Sequence, residues 1–455
     1  MSPELVRTLE DAKAIVEQSP HTHVKVGVFD VDGILRGKYM SKSKFLSALD
    51  GGFGFCDVIV GWDSDDQLYD NVKITGWHTA YPDASVRILP ETCRALPFED
   101  GLLMFLAEFE GYAEAVCPRG ALGKMVAKAA EMGFAPMSAC EFEFFVFDET
   151  PDSVRDKGYQ NLKPITPGNF GYSVLRNSVW ADLYHALLDL CEQMRMPLEG
   201  LHTETGPGVL EAAIAVTDTM EAADRAALFK TFTKVFVERN DMMATFMAKW
   251  SPDYPGQSGH VHFSLKGLDG KPLFHDPAGE HGMSTVARHF LGGVQRHLPD
   301  FLAMISPTVN SYSRLVPGAW APTAATWSVE NRTTALRVIP GSPKSQRVEV
   351  RIAAADMNPY IAQAAILGAG LDGIENAIEP SEMVVGNAYE QTPPAEQLLP
   401  QTLTEAANRL EASAAARRLF GDTFVEHYAA SRRWEEREFR KAITDWELKR
   451  YFEII

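Results

Sequence analysis

Cysteine is scarce in this chain of 455 residues, and the five present (Cys56, Cys93, Cys117, Cys140 and Cys191) form no close pair and no metal-ligand spacing. An odd, scattered set fits reduced thiols and a cytoplasmic setting. Basic runs of five or more residues are missing too. The 61 acidic side chains outnumber the 43 basic ones, giving a formal net charge of −18. That balance argues against nucleic acid or an anionic membrane as partner. No apolar stretch approaches the roughly 18 residues of a membrane span. Met1 to Glu17 alternates charged and apolar residues, unlike a signal peptide. Internal repeats, low-complexity tracts and a Gly-Lys-Ser/Thr phosphate loop are also lacking, so any nucleotide is held some other way. What is there, 45% hydrophobic and 23% charged residues, is the composition of a globular protein. Its length is too great for one simple core and predicts one small and one large domain.

The pattern predicts a helix over Ser2 to Gln18, strands over Val24 to Phe29 and Ile34 to Met40 joined by Asp30-Val31-Asp32-Gly33, and a short helix from Ser43 to Leu49. Further short strands continue to about Phe109, which makes residues 1–112 a compact α+β unit. Pro118 opens a helix that runs to about Met132, ahead of Gly133. Residues 113–455 then alternate strands with helices, including Val179 to Met194 and Thr219 to Met247. The chain ends in a helix from Arg432 to Phe452.

Four stretches place chemistry-bearing residues at alternate positions between hydrophobic ones: Glu141-Phe-Glu143, Thr203-Glu204 with Glu211 across a Gly-Pro-Gly turn, His260-Val-His262, and Arg347-Val-Glu349-Val-Arg351. Side chains alternate faces along a strand, so each stretch shows one apolar face to a core and one charged face to a cavity. Glu141 and Glu143 would stand roughly 7 Å apart on one face. Like charges at that distance call for a divalent cation or a proton; the competing reading is a solvated strand edge. His260, His262 and Ser264 share a face after a glycine-rich turn that begins at Gly256, but their spacing is not that of a His-Glu-x-x-His zinc site. Arg314, Arg332, Arg337, Lys344, Arg347 and Arg351 concentrate cations near Trp320 in an acidic protein. They read as a clamp for phosphate and carboxylate oxygens or as surface salt bridges.

Taken in order, these pieces, with Asn310-Ser-Tyr-x-Arg314-Leu-Val-Pro-Gly, Asn331-Arg332 and Asn358-Pro-Tyr360, resemble the class I glutamine synthetase superfamily, nearest its γ-glutamyl-polyamine and alkylamine ligase-like members. The resemblance covers nearly the whole chain. It implies an α+β fold: a small N-terminal β-grasp domain (1–112) and a large catalytic domain (113–455) whose curved antiparallel sheet is surrounded by helices. It implies ATP as a substrate and two or three Mg²⁺ or Mn²⁺ ions. Glu143, Glu204 and Glu211 would hold one ion, and Glu141, His260 and Glu349 the second. Arg314 and Arg351, with Gly256, would bind the amino acid. Arg332 and Arg337 would face the transferred phosphoryl group, and His262, Ser264, Lys344 and Arg347 the ATP. It further implies a homo-hexamer or dodecamer with active sites between subunits, the neighbour's loop at Asp57 or Asp63 completing each. Tyr389 lies near a position that some members adenylylate, in surroundings that match only loosely.

The departures bear on the acceptor. The family's flap glutamate, which helps bind ammonium, is matched here by Trp320, and the residues before the last turn glutamate are Val209 and Leu210. An indole cannot take a proton, but it can wall off an apolar group or attract a cation. These changes predict a larger, less polar acceptor side, with Phe53, Phe55, Trp62 and Trp327 as candidate lining. The expected activity is ATP-dependent joining of glutamate, or a glutamate-like acid, to an organic amine through an acyl phosphate. Glutamine synthesis from ammonia, a different acid, and a non-catalytic structural or regulatory role stay open at this stage.

Overall fold

The computed structural model describes residues 2–318 and 320–455. Two sheets organise them. The first contains β1 (His23–Phe29), β2 (Leu35–Ser41), β3 (Phe53–Cys56), β4 (Asp83–Ile88), β5 (Arg94–Leu96) and β6 (Leu102–Phe109) in the order β2-β1-β6-β4-β3, with β5 also on β6. β6 is buried along its whole length and runs parallel to β1, which explains its nearly continuous apolar sequence. The β1–β2 hairpin turns where predicted. The Asp30 carboxylate accepts from the backbone N–H of Asp32 (3.0 Å) and Ile34 (2.8 Å), and Gly33 takes the left-handed φ of +77° that the turn needs.

The second sheet contains β7 (Phe134–Phe147), β8 (Leu198–Thr203), β9 (Val209–Ile214), β10 (Thr217–Asp218), β11 (Met243–Thr245), β12 (Gly259–Gly267), β13 (Trp327–Val329), β14 (Leu336–Ile339) and β15 (Arg347–Val350). Its order is β13-β14-β15-β12-β7-β9-β8, and it is antiparallel except for the β13–β14 pair. On β7 the alternation is explicit. Cys140, Phe142 and Phe144 are buried beneath the Thr219–Glu238 helix, where Phe142 stacks on Phe229 with ring centroids 6.2 Å apart; Glu141 and Glu143 face the other way. Behind the sheet, the Thr285–Ile305 and Pro359–Glu375 helices approach through glycines: a Cβ on Gly293 would lie 2.2 Å from the Ala369 carbonyl oxygen. The whole is the expected α+β fold with a curved sheet clad in helices. Two polar side chains bolt the first sheet's hairpin onto this body. Asn358 donates to the carbonyls of Asp30 (3.2 Å) and Val31 (3.0 Å), and Arg432 pairs with Asp32 at 2.5 Å.

Several helix bounds differ from expectation. The first α-helix is Leu9–Gln18, because Thr8 and Asp11 form a capping box there. The Thr219 helix stops at Glu238, and Met243–Thr245 pairs with β7 instead. The expected Val179–Met194 helix is Ala181–Gln193, after a short helix over Val174–Val179. The C-terminal helix is two, Asp422–Phe439 and Asp445–Tyr451, the second restarted by a Thr444–Glu447 capping box.

Candidate functional site

The charged face of the second sheet lines a cavity of about 570 Å³. Strand register builds its floor: Glu141 stands opposite His260 across β7 and β12, Glu143 opposite Glu211 across β7 and β9, and His262 opposite Glu349 across β12 and β15. Glu204 returns from the end of β8, as the Gly-Pro-Gly turn predicts. All six predicted acid and imidazole ligands therefore meet in one cavity, with Arg314, Arg332, Arg337 and Arg351 around it and Gly256 and Trp320 on its wall.

Two halves differ in charge. Around Glu349, which is 1% exposed, Arg337 donates to one carboxylate oxygen at 2.8 Å, while Arg351 and the His260 Nδ1 (3.3 Å) engage the other. Burial works to raise its pKa, but the charges of His260, Arg351, His262 and Arg337 overcome this and bring it to about 2. Burial likewise works to raise Glu141, yet contacts with His260 (3.6 Å) and His262 (3.3 Å) hold it well below the carboxylate range. In the other half no lysine or arginine forms an ion pair with Glu143, Glu204 or Glu211 among the described residues, and Arg332 only partly offsets Glu204. Burial, then Glu143, Glu141, Glu204 and Glu349, push Glu211 up to about 9. Burial and Glu143 also raise Glu204. A carboxylate cluster that cannot hold its full charge is the donor set a hard divalent cation satisfies, so these residues fit such ions.

This crowding has a sign. Glu211 is raised from 4.5 to about 9, so the metal-free folded chain binds more protons than the unfolded one between those pH values. Its stability falls as pH rises across that window. The unfolding midpoint in chelator is expected to drop across the window and to flatten in Glu211→Gln; an equal slope in both proteins would rule out Glu211 as the source.

His202 completes this half and was not anticipated. Its Nε2 lies 3.6 Å from Glu211, is buried, and has no hydrogen-bond partner among the described residues. With Glu204 and Glu211 it offers a three-donor set; Glu141, His262 and Glu349 offer another. Both His260 and His262 thus reach the second group. Arg347 donates to the His262 Nδ1 at 3.3 Å, which favours a proton on Nε2, the nitrogen 3.3 Å from Glu141. Tyr172, also unanticipated, lines the cavity and stacks on His202 with centroids 4.5 Å apart.

The arginines are fixed by backbone. Arg314, 3% exposed, donates to the carbonyls of Ile352 and Arg351, both at 3.1 Å, and burial lowers it to about 10. Arg351 donates to the Arg332 carbonyl at 3.3 Å. Tyr389 half-buries its ring, and its hydroxyl, buried without a hydrogen-bond partner among the described residues, feels both Arg351 and Arg314.

The structure places the remaining predicted residues elsewhere. His262, Ser264, Lys344 and Arg347 lie outside this cavity's lining, with Lys344 on the exposed turn between β14 and β15. Val209 and Leu210 do not touch the cavity either, since Val209 packs with Phe145 and Phe147 and Leu210 joins the main core. Trp327 is 6% exposed and donates its N–H to the Ser381 carbonyl at 2.7 Å. Phe53, Phe55 and Trp62 belong to the first sheet's surroundings, under Lys38 and Arg36. Asp57 and Asp63 are both spent within the chain. Asp57 accepts from Thr75 (2.8 Å) and Tyr112 (2.9 Å); Asp63 accepts from two backbone N–H groups and from Trp434.

Comparison with known proteins agrees with this geometry. The family model for the glutamine synthetase catalytic domain matches residues 115–451. The chain is 45% identical to type-1 glutamine synthetase 2 of Dictyostelium discoideum, over 97% of this chain and 85% of that protein. It is 34% identical to a glutamate–isopropylamine ligase of Pseudomonas sp., over the full length of both. Among solved structures, the ADP complex of GmaS superposes with a TM-score of 0.84 at 26% identity, covering 97% of this chain and 99% of that one.

Proposed function

The chain belongs to the glutamine synthetase family, and from that premise we propose that it is an ATP-dependent ligase joining the γ-carboxylate of glutamate, or of a glutamate-like acid, to an organic amine. The observation that carries this reading is one cavity that gathers five carboxylates and the His260 imidazole beside four arginines. A carboxylate resists attack by an amine because full negative charge shields its carbon. Phosphorylation removes that shield: a carboxylate oxygen bonds to the γ-phosphorus as ADP leaves. The amine nitrogen then bonds to the acyl carbon, phosphate departs, and the nitrogen sheds a proton.

In this scheme Glu143, Glu204 and Glu211 hold one divalent ion, and Glu141, His260 and Glu349 another. Bound Mg²⁺ or Mn²⁺ supplies charge neutralisation and alignment of the phosphate oxygens. Arg314 and Arg351 grip the acid's α-carboxylate, next to Gly256, where a Cβ would collide with Arg314 at 2.6 Å. Arg332 and Arg337 act on the transferred phosphoryl group. Arg347, Lys344, His262 and Ser264 serve the nucleotide from the strand ends beyond the cavity. Trp320, 62% exposed, stands on the acceptor's path. The isopropylamine ligase supports an organic acceptor. A second reading, ammonia as acceptor, draws on the 45% identity to a glutamine synthetase.

Phosphate release from ATP with Mg²⁺ and L-glutamate, across ammonia, alkylamines, ethanolamine, polyamines and aromatic amines, separates the two. Release with an organic amine and little with ammonia is expected. Release with ammonia alone establishes the second reading, and no release with any amine removes both. We also propose the division at residue 112, supported by the gap between the sheets after Phe109 and the family match from 115. A cytoplasmic ring of six or twelve copies, with sites between neighbours, completes the proposal; it is supported by family membership and by five cysteines without disulfides.

A further inference from the structure

A second cavity, of about 520 Å³, lies on the opposite side of β7 from the carboxylates. Its walls are chemically polarised. The Thr219–Glu238 helix contributes Lys230 and Lys234, four residues apart and so on one helix face. Neither lysine has an ion-pair partner among the described residues. Lys230 donates only to the Met357 carbonyl, at 2.7 Å, and both ammonium groups lie over the Phe246 ring, at 5.9 and 5.7 Å. The Asp422–Phe439 helix contributes Arg432 and Glu435 to the cavity. Arg432 is spent on Asp32 at 2.5 Å, whereas Glu435 has no ion-pair partner or hydrogen bond among the described residues. The remaining acid, Asp356, accepts from the hydroxyls of Thr308 (2.6 Å) and Ser311 (2.8 Å). Three bases, Lys230, Lys234 and Arg432, thus face three acids, Asp32, Asp356 and Glu435, which leaves the space balanced in charge, with the two lysines on one helix and the unpaired Glu435 on another.

We propose that this cavity binds a small zwitterion of the amino-acid type, its carboxylate between Lys230 and Lys234, its hydrocarbon on Phe246 and its ammonium toward Glu435. A simple anion would leave Glu435 repelled or unpaired, and a simple cation would do the same to the lysines; a zwitterion answers both. The site touches the catalytic cavity through a shared wall. Met247 lines the second cavity and Gly256 the first, and Gln257 donates to the Met247 carbonyl at 2.7 Å. Thr308, which also lines the second cavity, caps the short helix that ends at Arg314. The inference does not depend on the ligase reading, and its test uses no turnover.

Reductive ¹³C-methylation keeps lysines charged and gives each a resolved resonance; Lys234→Gln assigns the signal of interest in the full-length assembled protein. Titration with ω-amino acids from glycine to 6-aminohexanoate is expected to move the Lys234 signal saturably, most for one chain length. The apparent affinity is expected to fall about tenfold in Glu435→Gln, the loss of one charge-assisted contact. Alkanoates of the same length are expected to bind about tenfold more weakly than their ω-amino partners to the unaltered protein. A Lys234 signal unmoved by every ω-amino acid, equal binding of alkanoates, or an unchanged affinity in Glu435→Gln overturns the proposal.

Discussion

Replacing Glu349 with alanine is expected to lower phosphate release by about a thousandfold, the scale of losing a preorganised charge-stabilising group at a phosphoryl-transfer centre. The carboxylate is almost fully buried and works on two sides. Toward the cavity it meets the His260 imidazole at 3.3 Å and lies within a three-donor set with Glu141 and His262. Toward the protein it neutralises Arg337 and Arg351. Alanine therefore removes an ion-binding group and also strands Arg351, only 6% exposed, while Arg337 keeps Glu330 at 3.0 Å. Breaking such a buried pair costs about 3–5 kcal/mol, so unfolding must be followed alongside turnover. Glu349→Gln is the control that separates the two effects: it keeps the shape and one acceptor oxygen for the arginines while losing the charge. If the amide variant unfolds normally but has lost both Mn²⁺ affinity and phosphate release, Glu349 acts through the ion. If Glu349→Gln keeps turnover within about tenfold of the unaltered protein, its role is to hold the arginines and the assignment fails.

The floor of this site was legible because strands have a period of two. Glu141, Glu143, His260 and His262 alternate with Phe142, Val261 and Phe263, and once β7 and β12 pair, no other register serves the core. The same test, applied one residue earlier on β8, would have found His202, since it alternates with Glu204. Tyr172 and Tyr389 carried no such signal, because they reach the arginines and acids from irregular segments whose course depends on the whole fold. The apolar run from Met242 to Met247 looked like a helix continuing from Thr219. Three residues of it pair with β7, and that tertiary pairing overrides local preference. Trp327, Phe53 and Phe55 were hydrophobic enough for an acceptor pocket. Composition does not say which neighbour a ring meets, and the fold gives these three other partners. Of the aromatics proposed from the sequence, Trp320 reaches the cavity, where Tyr172 joins it.

Replacing Trp320 with glutamate is expected to shift acceptor use from organic amine toward ammonia. The side chain follows the Pro317-Gly318 turn with a left-handed φ of 56°, mostly exposed, and lines the same cavity as Arg332 and Arg337. An indole attracts ammonium and alkylammonium alike through a face worth about 0.5–2 kcal/mol, up to roughly thirtyfold in apparent affinity, but only the alkylammonium adds hydrocarbon contact with the ring. A carboxylate at that place reverses the preference: it holds a small cation and receives its proton, but loses contact with a hydrocarbon chain. KM for the best organic amine should therefore rise by about tenfold, while release dependent on ammonia appears or grows. Trp320→Phe tests the cause, since it keeps a weaker π face and no acid; it should retain the amine preference with a smaller penalty. An unchanged amine profile in Trp320→Glu would show that the indole merely covers the cavity and that acceptor choice is made elsewhere, with Tyr172 and His202 the next residues to vary. Because Trp320 touches neither carboxylate group nor any arginine through a hydrogen bond among the described residues, divalent-ion affinity should be unchanged in Trp320→Phe, which separates an acceptor effect from damage to the phosphoryl-transfer half.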